Sequence, residues 1–265
     1  MNAPVGHTSS PRLIVTGCQR SATGYMASLL STLGCACGHE SVFNPKNLTR
    51  DTYQTNPLAR ILRLNRHPGF ITPQEMRVRE TLVWPASLCG DSSWLAAPYL
   101  SSLPRGTAVL HQVRDPIPVI RSLVRIRFFD TPSPFRLFAE AHLPSVKTGT
   151  LLERSLRYWV EWNRLIQRAE HVPHLRYVRY RVEDVTPLLL QDFLSRAGIA
   201  CDLSKVEAVL RAHPRTVNTR GSKRRDHLIR RETLPIGQAR LAYERLAEEY
   251  GYPPGGPRGS PSAAV

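Results

Sequence analysis

The residues at 17–24, GCQRSATG, combine small side chains with two hydroxyl groups and one fixed positive charge. Small residues let the backbone approach a ligand closely, while Ser21, Thr23 and the always-charged Arg20 can bind an anion such as phosphate. The spacing is not that of a Walker A loop, which requires Lys and then Ser or Thr after its second Gly, because Tyr25 stands there instead. A nucleotide triphosphatase or kinase is therefore disfavoured.

A second group of candidate residues lies in LHQVRDPIPVIRSL, at 110–123. Arg114 ends a strand-like run, and Ser122 follows in a helical stretch. An Arg at a strand end and a Ser on the first turns of the next helix can face one point and bind a phosphate through charge-assisted hydrogen bonds. The alternative is that Arg114 and Asp115 pair or cap locally.

The two motifs together resemble those of the sulfotransferases that use 3′-phosphoadenosine 5′-phosphosulfate. In that family the 5′-phosphosulfate loop reads Lys or Arg, Ser or Thr, Gly, Thr, and then Thr or Ser. RSATG at 20–24 is similar, with Ala22 in place of the Gly and Gly24 in place of the last hydroxyl residue. The family's 3′-phosphate motif is a strand followed by Arg, Asp or Asn, Pro, and later a Ser, which Arg114 and Ser122 match.

The resemblance implies transfer of a sulfuryl group from this donor, without a metal, to a hydroxyl or amine of a carbohydrate, glycolipid or small-molecule acceptor. A late basic segment is similar to the family loop that covers the nucleotide, although a solvated loop is the alternative for each of its residues. The implied donor-binding residues are Arg20, Ser21, Ala22, Thr23 and Gly24 for the 5′-phosphosulfate, Arg114 and Ser122 for the 3′-phosphate, and Arg220, Gly221, Lys223 and Arg224 in the basic loop.

Two catalytic roles follow, because the acceptor must lose a proton and the leaving phosphate must be stabilised. The resemblance places Arg20 beside the bridging oxygen, where it stabilises the leaving group but cannot act as an acid. Glu40, after the expected second strand, matches the Glu of carbohydrate-type members and is the predicted base. His39 is an alternative, although neighbours on a strand point to opposite faces, so only one should enter the cleft. Asp91 and Ser93 are expected to hold the acceptor or support the base.

Three strand-loop-helix units position these residues. The strands are expected at 12–18, 108–113 and 175–180, each followed by a polar loop and a helical apolar rhythm. Such alternation predicts an α/β fold with a mainly parallel central sheet and ligands at the carboxyl ends of the strands. The resemblance adds that this fold is three-layered and P-loop-like, with helices flanking the sheet.

Composition indicates one globular domain. With 265 residues, of which 42% are hydrophobic and 22% charged, a single domain is predicted over 11–250. The segments 1–10 and 251–265 are expected to be flexible, the latter because it is rich in Pro and Gly. The sequence has no long apolar run or signal peptide, and the scattered cysteines are expected to be free thiols, which predicts a soluble cytoplasmic protein. These cysteines are Cys18, Cys35, Cys37, Cys89 and Cys201.

The formal net charge of +15 favours an anionic partner. Residues 211–231 contain eight Lys or Arg and one Asp, giving +7. A nucleic-acid-binding protein is one alternative, but the patch has no aromatic residue on which bases could stack, and a nucleotide with two phosphates and a sulfate explains the charge equally well. No nucleic-acid partner is therefore predicted. Cys35, Cys37 and His39 lie close together without a second ligand pair, so no metal is predicted either. The oligomeric state is left open.

Overall fold

A computed structural model of the chain describes residues 13–49, 69–73, 75, 84–213, 229–230, 234 and 237–252. The predictions for the flexible N-terminus and for the tail from 253 onwards lie outside these residues. So do those for Arg220, Gly221, Lys223 and Arg224 in the basic loop.

Five strands form one central sheet in the order β2-β3-β1-β4-β5, and every neighbouring pair is parallel. This arrangement, with helices on both faces, confirms the predicted α/β fold. The middle strands are buried throughout their length, as expected for a parallel sheet covered on both sides. The strands are β1 (Leu13–Thr16), β2 (Cys37–His39), β3 (Gly90–Ser92), β4 (Ala108–Val113) and β5 (Arg176–Arg181).

Most of the helices begin at a residue whose side chain accepts a hydrogen bond from the first turn. Thr150 and Glu153 form a complete capping box at the start of the longest helix. A 3-10 helix follows β3 at Trp94–Ser102. The α-helices are α1 (Thr23–Thr32), α2 (Pro45–Leu48), α3 (Pro116–Arg125), α4 (Pro134–His142), α5 (Leu151–Gln167), α6 (Pro187–Arg196), α7 (Leu203–Ala212) and α8 (Gln238–Glu249).

The side chains of β1 alternate between two apolar cores, one on each face of the sheet. Ile14 belongs to the core that contains buried residues of the 3-10 helix, α3, α4, α5 and α8. Leu13 and Val15 belong to the core that contains residues of α1, α6 and α7. The period of two along the strand therefore produces three layers, with helices on both faces of one sheet.

The strand order changes direction at β1. From β1 the chain runs to β2 and β3 on one side, and then crosses to β4 on the other side. In open parallel sheets, ligands bind outside the carboxyl ends of the strands at such a switch point. The loop after β1 and the residues after β4 meet at this position, and they carry the two motifs found in the sequence.

The prediction of five free thiols is wrong for two of them, because Cys35 and Cys89 form a disulfide with their Cα atoms 6.0 Å apart. Cys35 lies just before β2 and Cys89 just before β3, and the pairing of these two strands brings the cysteines together. Cys18, Cys37 and Cys201 are free. The cysteine argument for a cytoplasmic location therefore no longer holds. In the described part of the chain, no helix is both long enough and apolar enough to cross a membrane.

Candidate functional site

The loop between β1 and α1 has the backbone of an anion-binding turn. Arg20 and Ala22 adopt left-handed conformations, with φ of 75° and 68°. Helix α1 begins at Thr23 with no side-chain cap and no acidic residue in its first turn, so its first N–H groups have no such partner. The hydroxyl of Ser21 is completely buried and has no hydrogen-bond partner in the described part of the chain. A small anion would satisfy these donors.

Side chains of β4 and of the residue just after it hold this loop in shape. The Gln112 amide donates a hydrogen bond to the Ser21 carbonyl, and Nη1 of Arg114 donates to the Arg20 carbonyl at 3.0 Å. Tyr180 on β5 fixes the Gln112 amide in turn, by donating to its Oε1 at 2.9 Å. Gln112 was not among the predicted site residues, although a polar residue inside an apolar strand indicates a buried hydrogen bond.

Gly17 lets the loop leave the sheet close to β4. A Cβ atom at this position would overlap the main-chain oxygen of Gln112 and would lie 3.3 Å from the Ser21 Cβ atom. Because the Ser21 side chain lies beside Gly17, its hydroxyl is on the inner side of the loop. The absence of a side chain at Gly17 is therefore a requirement of this backbone approach.

Positive side chains gather beside the loop. Nε of Arg20 donates a hydrogen bond to Ser122 Oγ on α3 at 2.8 Å, so the two motifs meet at these residues. Burial lowers the pKa of Arg20, and the charges of Arg125 and Arg114 lower it further. Among the described residues, neither Arg20 nor Arg114 forms an ion pair with a carboxylate.

Of Arg114 and Asp115, which could both have paired or capped locally, only Asp115 does so. Asp115 caps α3, accepting a hydrogen bond from the Ile117 N–H at 2.9 Å. Arg114 reaches back to the loop instead. The guanidinium of Arg114 is therefore close to Arg20 and belongs to the same cationic group.

Glu40 lies one residue beyond β2, in a left-handed conformation with φ of 52°. Burial raises the pKa of its carboxyl, the nearby Asp91 carboxylate raises it further, and the Trp94 indole partly offsets this rise. The strand alternation expected of His39 and Glu40 does not extend to Glu40, because β2 ends at His39 and the backbone of Glu40 is left-handed. A carboxyl with a raised pKa is a stronger base and accepts a proton more readily.

Asp91 and Ser93 hold the segment that follows Glu40. The buried Asp91 carboxylate accepts hydrogen bonds from three successive main-chain N–H groups, those of Ser41, Val42 and Phe43, at 2.9 to 3.2 Å. Ser93 donates to the Phe43 carbonyl at 2.7 Å. Both side chains are thus used to support the predicted base, and not to contact an acceptor directly.

His39 lies at the other edge of the loop. Its Nε2 is 3.3 Å from Thr23 Oγ1, in the first turn of α1, and its ring lies beside Gly24. Burial lowers the pKa of His39, and Asp91 raises it in part. His39 is therefore a titratable group beside the first turn of α1, in addition to the nearby Glu40.

Aromatic residues form the floor beneath the loop. Tyr158 on α5 is fully buried, and its hydroxyl accepts a long hydrogen bond from the Gln19 N–H at 3.4 Å. Trp94 is buried and packs against Tyr158 at 6.3 Å between ring centroids. Trp94 is thus a core residue, whereas the indole of the half-buried Trp84 donates to the Leu88 carbonyl at 2.6 Å.

Backbone strain is concentrated at this site. Among the described residues, four that are not glycine have positive φ: Arg20, Ala22, Glu40 and Arg127. The first three belong to the loop or to the end of β2. Such conformations cost free energy and cluster at functional positions, so their grouping is an independent indication of a site here.

No group of three or more His, Cys, Asp or Glu side chains within the described ranges is placed to hold a metal ion. Cys35, one of the closely spaced Cys and His residues in the sequence, is bonded to Cys89. No family model, curated protein or solved structure matches the chain.

Proposed function

We propose that the protein is a sulfotransferase with a P-loop-like fold that uses 3′-phosphoadenosine 5′-phosphosulfate. The observation that carries this proposal is the combination at the loop after β1. A buried Ser21 hydroxyl without a partner lies before an uncapped helix, beside Arg20 and Arg114, which have no carboxylate partner among the described residues. This set of donors and positive charges fits an anionic donor with phosphate groups at two positions.

In this proposal the two motifs divide the binding of the donor. Residues 20–24 hold the 5′-phosphosulfate, and Arg114 and Ser122 hold the 3′-phosphate. The hydrogen bond between Arg20 and Ser122 supports this division, because it joins the two motifs. Arg20 stays positively charged and stabilises the negative charge that develops on the leaving phosphate.

The donor supplies a sulfuryl group, whose sulfur forms a bond to the acceptor oxygen or nitrogen while its bond to the bridging oxygen breaks with the electron pair leaving on phosphate. Glu40 takes the proton that the acceptor loses. The raised pKa of its carboxyl supports this role, because a stronger base accepts a proton more readily. The three hydrogen bonds from main-chain N–H groups to Asp91 position the segment after Glu40. The acceptor class stays as predicted: a carbohydrate, glycolipid or small molecule.

Two alternative functions would involve different ligands. A kinase of the P-loop type would bind ATP with Mg²⁺, but the loop lacks the Walker Lys. A nucleic-acid-binding protein would use the basic residues at 211–231, of which most lie outside the described part of the chain. Its binding would weaken steeply with salt.

Calorimetric titration with adenosine 3′,5′-bisphosphate, beside ATP with Mg²⁺ and a short DNA duplex, tests the proposal. We expect the bisphosphate alone to bind, without metal, and Arg114→Ala to weaken this binding. Arg105→Ala is the matched control, because Arg105 is exposed before β4, at the opposite end of the sheet. Binding of ATP or DNA in place of the bisphosphate would overturn the proposal.

A further inference from the structure

Because Gly24 has no side chain, there is space beside it at the start of α1, and a side chain from β2 occupies this space. The ring of His39 lies with two of its atoms 3.5 Å from the point where a Cβ atom of residue 24 would be. This is ordinary van der Waals contact, so the imidazole lies where a longer side chain of residue 24 would project. The position therefore carries a polar group, although that group comes from β2 and not from the loop.

The imidazole is also connected to the loop by a hydrogen bond. Nε2 of His39 lies 3.3 Å from Thr23 Oγ1 in the first turn of α1. This turn has no side-chain cap, and the preceding Ser21 hydroxyl is buried on the inner side of the loop without a partner among the described residues. His39 is partly covered by its neighbours, but enough of its side chain is exposed for a ligand to reach it.

We propose that His39 is a donor-binding residue, which replaces a hydroxyl at position 24 and contacts the 5′-phosphate group at the start of α1. This inference rests on the proposed function, and it gives His39 a role separate from that of the base, Glu40. An imidazole N–H donates a hydrogen bond to a phosphate oxygen, and the protonated ring adds a positive charge.

The charges around His39 predict proton uptake on binding. Burial lowers the pKa of the free imidazole, and Asp91 on β3 acts in the opposite direction. Glu40 follows it in the chain, and α1 contributes the uncharged Thr23. A bound phosphate dianion favours the protonated ring, so His39 should take up a proton when the ligand binds near neutral pH.

Titration calorimetry of purified variants with adenosine 3′,5′-bisphosphate tests this role. We expect His39→Ala to weaken binding about tenfold, the effect of losing one charge-assisted hydrogen bond. His39→Gln keeps a donor but should lose the proton uptake, which is measured at pH 7 in buffers of different ionisation enthalpy. Adding Gly24→Ser to His39→Ala should restore much of the affinity, because the serine hydroxyl has the room that the ring vacates.

His213→Ala is the matched control, because His213 contacts the exposed Ser28 of the same helix α1 at 3.2 Å. We expect wild-type affinity from this variant. If the wild-type protein binds the bisphosphate and Arg114→Ala binds it more weakly, but His39→Ala binds as tightly as wild type, the role of His39 is refuted and the donor site stands. If wild type does not bind the bisphosphate at all, the proposed function itself fails.

Discussion

Arg20 and Ser122, which are 102 positions apart in the sequence, are joined by a hydrogen bond of 2.8 Å from Nε to Oγ. The first residue belongs to the loop after β1 and the second to the helix after β4. Because β1 and β4 are neighbours in the sheet, two separate sequence motifs become one cluster. This contact orients the guanidinium across the carboxyl ends of the two strands.

Removing either cation of this cluster should weaken donor binding. We expect Arg20→Ala and Arg114→Ala each to weaken binding of adenosine 3′,5′-bisphosphate by about tenfold to a hundredfold, since hydrogen bonds to charged groups contribute about 1.5–3 kcal/mol. Ser122→Ala should have a smaller effect, because the arginine charge remains. Calorimetry measures all three variants. Equal affinity of Arg20→Ala and wild type would contradict the placement of the anion beside Arg20.

Replacing Glu40 by Gln should separate binding from turnover. The variant should bind the bisphosphate as wild type does, while kcat falls by about 10² to 10⁴, the range for loss of a general base. In wild type, the raised pKa of Glu40 predicts that kcat falls on acidification at a pH above the ordinary range for a carboxyl. A pH series of initial rates with a competent acceptor measures this limb. Retained turnover in Glu40→Gln would move the base to His39 or Asp91.

The disulfide between Cys35 and Cys89 should contribute to stability and to the placement of β2. It spans a sequence separation of 54 residues, and closing such a loop stabilises a folded chain by about 2–4 kcal/mol. We expect the double change Cys35→Ser and Cys89→Ser to lower the urea midpoint accordingly. Turnover should fall more than donor affinity, because β2 leads directly to Glu40 but carries only one of the proposed donor-binding residues, His39, while the others follow β1 and β4.

Cys201→Ser is the control for these cysteine changes, because Cys201 is free and half-buried. Its urea midpoint should match that of wild type, with and without reductant. Thiol titration of the unfolded, unreduced protein should find three free thiols. Five titratable thiols would show that the bond does not form.

Two histidines, the buried His111 and the half-buried His142, should make the protein less stable in mild acid. Burial lowers the pKa of His111 to about 3 and that of His142 to about 4, against 6.5 for an ordinary histidine. Between pH 6.5 and 4 the unfolded chain therefore binds protons that the folded chain does not. The free energy of unfolding should fall by about 1.4 kcal/mol per pH unit for each histidine as the pH drops through this window.

Urea unfolding at several pH values measures this slope. His142→Phe should flatten it, because the new ring cannot titrate and suits a site beside Phe138 and Tyr99. His171→Phe is the control, since His171 is exposed, and it should leave the slope unchanged. A His142→Phe variant with the wild-type slope would contradict a neutral His142 in the folded state.

The regular elements were predictable because their periodicity is local. The predicted strand at 108–113 coincides with β4, and the helical apolar rhythm predicted after it is α3. His111 on β4 is fully buried, and its ring nitrogens contact the Tyr177 hydroxyl at 2.7 Å and the Asn163 side chain at 3.1 Å.

Other features depend on which strands are neighbours, and this cannot be read from local patterns. The spacing of Cys35 and Cys89 does not reveal that β2 and β3 pair. Likewise, the left-handed backbone of Glu40 could not be predicted from the residues around it, because this conformation is uncommon for any residue but glycine. The positions of the two motifs could be inferred from the sequence. The hydrogen bond from Gln112 on β4 to the Ser21 carbonyl could not, because it depends on β1 and β4 being neighbours in the sheet.

The hydrogen bonds from Gln112 and Arg114 to the loop after β1 also reduce the entropy that the loop would lose on binding a ligand. Gln112 and Arg114 hold two successive main-chain oxygens, those of Ser21 and Arg20, before any ligand is present. A loop that must become ordered on binding reduces the affinity, whereas a preorganised loop does not. A ligand of this loop would therefore lose little affinity to loop ordering, because β4 and Arg114 already hold the loop in place.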